Sequence, residues 1–371
     1  MSVPLLDLQR QYATIKNEID DALTRVVSSQ RFILGGEVEK LEQAIGGYVG
    51  SKHAIGCASG TDALLLSLKA LPLQPGDEVV VPSFTFFATA GAVWNAGFKP
   101  VFADMDPVSF NMKAEHIEAA LTPKTRAVIV VHLYGQMTPM APVLELAQKR
   151  GLFVIEDAAQ SLGARQQHDG RDAHSGTIGQ LGCYSFFPSK NLGGFGDGGL
   201  IVTDDDELAA RLFKLRVHGG RQMYHHEMVG FNSRLDALQA AVLGAKLPHL
   251  DSWAERRREH ARSYDVAFAG HGHVKTPVAE AGNYHVFNQY TLRVPRRDAL
   301  KSELDARGIG NAIYYPVPLH MQECFRGLGY RGGELPVTEA VVNEVISIPV
   351  FPELAIDERS RVIDTIQKFY N

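Results

Sequence analysis

Between His53 and Ile155, short apolar runs alternate with stretches patterned for helices, and this alternation most narrows what the chain can fold into. The pattern predicts strands at 53–57, 78–82, 98–104, 127–133 and 152–155, separated by helices at 63–71, 83–94, 115–121 and 139–150. The run at 127–133 is too continuously Val- and Ile-rich for a half-exposed strand. Repeated βαβ units of this kind predict an α/β fold with a mostly parallel sheet covered by helices on both faces. Ligands of such sheets sit beyond the carboxyl ends of the strands. The loops at Ser59, Ser83, Tyr134-Gly135, Asp157 and Lys190 all follow strand exits and are expected to share one rim.

Two flanking regions complete the reading. Ahead of the alternation lie a short arm (5–12) and amphipathic helices at 15–27 and 37–49. Behind it come a strand at 199–203, helices at 207–217 and 235–245, and a charged helix at 253–268 after Pro248. The pattern then turns α+β, with a strand at 289–294 and helices at 297–307 and 337–345. With 371 residues the chain can bury a sizeable core. A large domain over 1–250 and a smaller C-terminal domain over 251–371 are expected. A net charge of -5 disfavours a basic nucleic-acid surface. Cys57, Cys183 and Cys324 follow no metal-ligand spacing, which suits a reduced, cytoplasmic protein. The N-terminus is too polar for a signal peptide, and no apolar run approaches membrane-spanning length.

The chemistry is concentrated between Leu152 and Gly199. LFVIEDAAQ ends an apolar run in an acid, Asp157, with Gln160 three residues on; SFFPSKNLGGFGDGG then sets Lys190 in a small polar loop followed by glycines. An acid at a strand tip, a lysine in such a loop and glycines that let backbone come close are what an imine-forming cofactor enzyme needs. Ser59-Gly60-Thr61 opens a helix directly after a strand, offering free backbone N–H groups to a phosphate. An isolated Ser-Gly-Thr is more often a helix cap and nothing else. Adjacent His225 and His226 lack a third metal ligand at any useful spacing. A nicotinamide-binding Rossmann fold fits the sheet pattern, but no glycine fingerprint follows the first strand of a βαβ unit.

These motifs resemble the DegT/DnrJ/EryC1/StrS family of pyridoxal-phosphate (PLP) sugar aminotransferases, within fold-type I. The resemblance runs from LLDLQRQY near the start to SIPVFPEL near the end. It implies a seven-stranded, mostly parallel sheet and a homodimer with shared active sites. It makes Lys190 the lysine that carries the cofactor; a minority branch has histidine there and dehydrates the sugar instead. Asp157 is assigned to the pyridine nitrogen, Gln160 to the ring hydroxyl or face, and Phe86 to the stacking position. Ser59, Gly60, Thr61 and Ser185 fall at the phosphate, completed by Asn232 from the neighbouring subunit, although Asn232 could equally cap the helix that follows it. The implied substrates are L-glutamate and a nucleotide-linked keto sugar. Arg221, His225, His226, Tyr315 and His320 are the expected sugar contacts. The pairing of HHEMVGFNSRLDALQAAVL with YYPVPLHMQ is closer to the branches that aminate C-3 than to those that aminate C-4. A regulator that had lost turnover would be expected to lack the lysine or the acid, and both are here.

Overall fold

The computed structural model describes residues 2–222 and 224–370. Its strands, in chain order, are β1 (His53–Cys57), β2 (Glu78–Pro82), β3 (Lys99–Ala103), β4 (Thr125–Val131), β5 (Phe153–Asp157), β6 (Arg165–His168), β7 (Arg171–His174), β8 (Leu181–Ser185), β9 (Gly199–Thr203), β10 (Asn283–Tyr284), β11 (Tyr290–Arg293) and β12 (Val345–Ile348). Seven of them form the central sheet in the order β1-β9-β8-β5-β4-β2-β3. All pairings are parallel except those of β9, which runs opposite to both β1 and β8. The fold is α/β with a mostly parallel sheet, as the alternation of the sequence predicts, and the sheet has seven strands, as the family resemblance implies.

Period-two geometry explains why the sheet needs cover on both sides. Val79, Val81, Ala127, Ile129 and Ile155 face one apolar cluster, while Val80, Val128, Val130 and Val154 face another. The helices Gly60–Ala70 and Ala88–Asn95 fill the first side, and Ala114–Ala120 and Met140–Arg150 the second. Burying each such aliphatic side chain contributes about 1.5–3 kcal/mol, and truncating one would also leave a cavity.

The C-terminal part has its own apolar cluster around β11 and β12, built on Tyr264, Tyr290, Leu292, Ile346, Ile348 and Phe351. The helix Leu250–Phe268 links it to the sheet, because Leu250 packs beside the sheet and Ala261, Tyr264 and Phe268 pack with β11. Val3 joins the same cluster, and its carbonyl accepts from Gly310 N at 2.7 Å, so the N-terminal arm is tied to the C-terminal part.

Three expectations need correction. The arm predicted at 5–12 contains a helix, Leu8–Thr14, capped by Asp7. The helix predicted at 337–345 stops at Val341; Glu344 N turns back to the Val341 carbonyl, and the β-branched Val345 and Ile346 enter β12. The helix predicted from Ser83 starts only at Ala88, which leaves 83–87 free to line a cleft. The β6–β7 hairpin and the last helix, Ile356–Tyr370, are additions to the predicted elements.

Candidate active site

Because β1, β2, β4, β5 and β8 run parallel, their exits open on one edge of the sheet. A cleft of about 460 Å³ lies there. It is lined by Ser59, Gly60 and Thr61 after β1, Thr85 and Phe86 after β2, Asp157 and Gln160 around the end of β5, Ser185 at the end of β8, and Ser189 and Lys190 beyond it. Gln289, Tyr314 and Tyr315 close it from the C-terminal part.

Asp157 is 5% exposed, and burial pushes its carboxyl up from the usual range. The Thr89 hydroxyl donates to Oδ2 at 2.8 Å and Ala159 N to Oδ1 at 3.2 Å, both favouring the anion; Lys190 and His132 pull the same way. Behind it, His132 and Glu156 form a fully buried pair with Nε2 and Oε2 2.7 Å apart. Burial opposes ionisation of Glu156, but His132 and the N–H groups of Gly176 and Gly179 outweigh it and hold the carboxyl below its usual range. Since Thr138 N donates to His132 Nδ1 at 3.2 Å, the ring proton sits on Nε2, toward Glu156.

Lys190 is half-buried in the cleft, and desolvation lowers its ammonium to about 8 against the pull of Asp157. Its loop is held by backbone and by buried side chains. Lys190 N donates to Phe187 O at 2.9 Å, and Gly194 N to Phe186 O at 2.8 Å. The buried Lys246 Nζ donates to Gly193 O at 2.7 Å, and Gln239 Oε1 accepts from Phe195 N at 2.7 Å. Gly193 is required there, since a Cβ would stand 2.2 Å from the Pro188 carbonyl oxygen.

At the other end of the cleft, the Ser59 hydroxyl accepts from Asp62 N at 3.1 Å and caps the helix Gly60–Ala70. The caps-only reading of Ser-Gly-Thr therefore accounts for Ser59, while the Gly60 and Thr61 positions still face the cleft. Ser185 crosses so near that a Cβ on Gly60 would sit 2.6 Å from the Ser185 Cβ. Gln160 accepts from Tyr134 N at 2.7 Å and donates to Tyr315 Oη at 3.1 Å, so the end of β5 and the C-terminal loop share one bond network. Phe86 is 56% exposed on the wall, with its ring centroid 6.1 Å from that of Tyr315.

The remaining expected residues are not brought to the cleft. His320 is 2% exposed; its Nδ1 lies 2.7 Å from the Ser83 hydroxyl and its Nε2 3.3 Å from Glu339, so it ties the loop after β2 to the helix Pro336–Val341 instead of facing a sugar. Arg221, His225, His226 and Asn232 are exposed on the excursion between the helices Asp206–Leu215 and Ala237–Lys246 and are not among the residues that line the cleft in this single chain. Asn232 does not supply a side-chain cap to the helix Ala237–Lys246, whose N-cap position is Asp236. Sequence reasoning missed Thr89, Gln289 and Tyr314. Thr89 reads as one more small residue in ATAGAVWN, and only the fold sets it on Asp157.

Residues 13–367 match the profile of the DegT/DnrJ/EryC1/StrS aminotransferase family. A pleiotropic regulatory protein of Geobacillus stearothermophilus is 50% identical, covering 100% of this chain and 99% of its own. A UDP-N-acetyl-3-dehydro-α-D-glucosamine 3-aminotransferase of Acidithiobacillus ferrooxidans is 46% identical, covering 99% and 98%. Among solved structures, DesV of S. venezuelae in complex with a ketimine intermediate superposes with a TM-score of 0.96 at 43% identity, covering 100% of this chain and 99% of that one.

Proposed function

The chain belongs to the DegT/DnrJ/EryC1/StrS aminotransferase family, and on that premise we propose that it moves an amino group from L-glutamate to the C-3 keto group of a nucleotide-linked sugar. The observation that carries the reading is the meeting of Lys190, Asp157 and the Gly60–Thr61 helix start in one cleft. C-3 is favoured over C-4 by the named activity of the 46%-identical relative. The regulatory name of the 50%-identical relative supplies a second reading, a cofactor-binding regulator; the lysine and the acid that such a protein has no need to keep both line this cleft.

The residues present fit pyridoxal phosphate. The Gly60 side of the cleft is a backbone cradle that a single Cβ would fill, the half-buried Lys190 has a readily deprotonated amine, and Asp157 is a carboxylate held inside the cleft. When bound, the cofactor supplies a carbonyl that condenses with amines and a ring that stores the electron pair released at the neighbouring carbon. Gly60 and Thr61 N–H groups with the Thr61 and Ser185 hydroxyls would hold its phosphate, and Asn232 of a second copy would complete that cup. Phe86 would lie against one face of the ring, Gln160 at its hydroxyl or face, and Asp157 at its nitrogen, where the Thr89 hydrogen bond favours the anion. Lys190 Nζ would carry the proton that amino transfer requires, and its lowered basicity leaves neutral amine near pH 8 to accept it.

The nucleotide diphosphate is too long for the cleft alone and would run along the boundary between two copies, where Arg221, His225 and His226 can meet it. Such a reaction belongs to amino-sugar biosynthesis, for a polysaccharide or an antibiotic. Both substrates use the site in turn, so varying glutamate and keto sugar together should give parallel double-reciprocal lines, with NMR placing the new nitrogen at C-3. Intersecting lines would overturn the alternation, and nitrogen at C-4 would overturn the regiochemistry.

A further inference from the structure

Beside the cleft lies a smaller annex of about 50 Å³ that shares Ser189, Gln289 and Tyr314 with it. Arg257 forms part of its wall, with Asn288 and, from the N-terminal arm, Leu5. Arg257 comes from the helix Leu250–Phe268 and is only 5% exposed. Its Nη1 donates to the carbonyls of Phe287 and Asn288, both at 3.3 Å, and no ion pair reaches it among the described residues. Burial accordingly lowers it to about 10, relieved only at a distance by Glu353. Two carboxamides share its surroundings: Asn288 Oδ1 and Gln289 Oε1 are buried without a hydrogen-bond partner among the described residues. A buried guanidinium that lines the annex with no ion pair marks it as a place for an anion; the two amide oxygens only accept, and Asn288 Nδ2 donates to Ser189 O at 3.5 Å.

Size and charge define the occupant. A space of about 50 Å³ admits a few waters or one carboxylate, and excludes a sugar ring or an aromatic system. A guanidinium is a donor set suited to a carboxylate, and Asn288 and Gln289 would join it only by turning their NH2 groups toward the occupant. The annex also opens beside Ser189, the residue next to Lys190. We propose that Arg257, with Asn288 and Gln289, anchors a carboxylate of the amino-acid donor, so that the donor's nitrogen is presented to the Lys190 side of the cleft. The anchor rests on the amino-transfer reading of the same cleft. It gives the site separate handles for its two substrates: the donor is gripped from the annex, and the nucleotide sugar is gripped elsewhere.

The test resolves the two half-reactions by rapid mixing for wild type, Arg257→Gln and Arg257→Lys, with thermal midpoint and cofactor loading recorded for each. Arg257→Gln should weaken glutamate by about tenfold or more, while the half-reaction with keto nucleotide sugar stays within about twofold. Arg257→Lys keeps the charge without the fork, so it provides a stable second variant if the glutamine protein folds poorly, with the same one-sided loss. Equal loss in both half-reactions, or none in either, would overturn the anchor. Calorimetric titration with glutarate, a dicarboxylate with no amine, separates the two ideas. Binding to wild type that Arg257→Lys weakens supports the anchor even if no amino donor is turned over, an outcome that would instead sink the amino-transfer reading. Failure of glutarate to bind wild type would overturn the anchor.

Discussion

Thr89 donates its hydroxyl hydrogen to Asp157 Oδ2 at 2.8 Å across 68 residues of sequence. Burial pushes this carboxyl up, and the bond works against that push by favouring the ionised form. On the proposed reading, that charge is what keeps the cofactor ring an electron sink. Asp157→Asn should bind pyridoxal phosphate and lose roughly a hundredfold or more in kcat. Thr89→Val should keep the carboxylate but raise the pH at which it ionises, moving the acid limb of the kcat profile upward with a loss of about tenfold at neutral pH. Full activity in the Asp157→Asn variant would make the acid a packing element only.

Lys190 gives a pH prediction with a definite sign. Its folded value of about 8 lies below the ordinary 10.5, so between those values the unfolded chain binds a proton that the folded chain does not. Stability of the cofactor-free protein should therefore rise from pH 8 to 10.5, with the full penalty in place below pH 8. Lys246, also lowered to about 8 by burial, contributes in the same window. Lys190→Met should flatten part of that rise, abolish turnover, and remove the site of borohydride labelling in a peptide map. A label on another lysine would overturn the assignment.

Gly60 separates steric from chemical roles in the phosphate cradle. Gly60→Ala would bring its Cβ to 2.6 Å from the Ser185 Cβ, an overpacking worth about 1–3 kcal/mol. If the cradle holds the phosphate, cofactor affinity should fall roughly tenfold to a hundredfold, while far-ultraviolet circular dichroism is unchanged. Adding Ser185→Gly should recover the steric part and leave the deficit of one lost hydroxyl donor. Unchanged affinity in Gly60→Ala would move the phosphate elsewhere.

What the sequence discloses and what it hides follow from the range of the forces involved. Short, almost wholly buried apolar runs bounded by turn residues fix β1, β2 and β9 to the residue. They do not reveal that β9 runs against its neighbours, since direction is set by partners distant in the chain. The β6–β7 hairpin is mostly polar and carries almost no apolar signal, and β12 is lost in a helical run because Val345 and Ile346 suit either element. In the site, Lys190 and Asp157 stand out through loop chemistry. Thr89 and Arg257 are invisible in the sequence because each matters only through what the fold sets beside it, and His320 is misplaced because a loop histidine beside tyrosines carries no mark of its burial.

Asn232 supplies the test of assembly. In one chain it is exposed, paired through its backbone with Val217, and absent from the walls of the cleft. On the proposed reading it would complete the phosphate cup in the cleft of a second copy, so each working site would need Lys190 from one chain and Asn232 from the other. Lys190→Ala and Asn232→Ala should each be inactive or nearly so alone. When the two are mixed and reassorted, one site of each mixed dimer has both defects and the other has neither. About half the dimers are mixed at equal stoichiometry, and each has one intact site of two, so activity should return to about a quarter of wild type. If Asn232 served its own chain's cleft, every site in the mixture would retain one defect and no activity would return. Sedimentation of the active protein as a monomer would exclude the shared site directly.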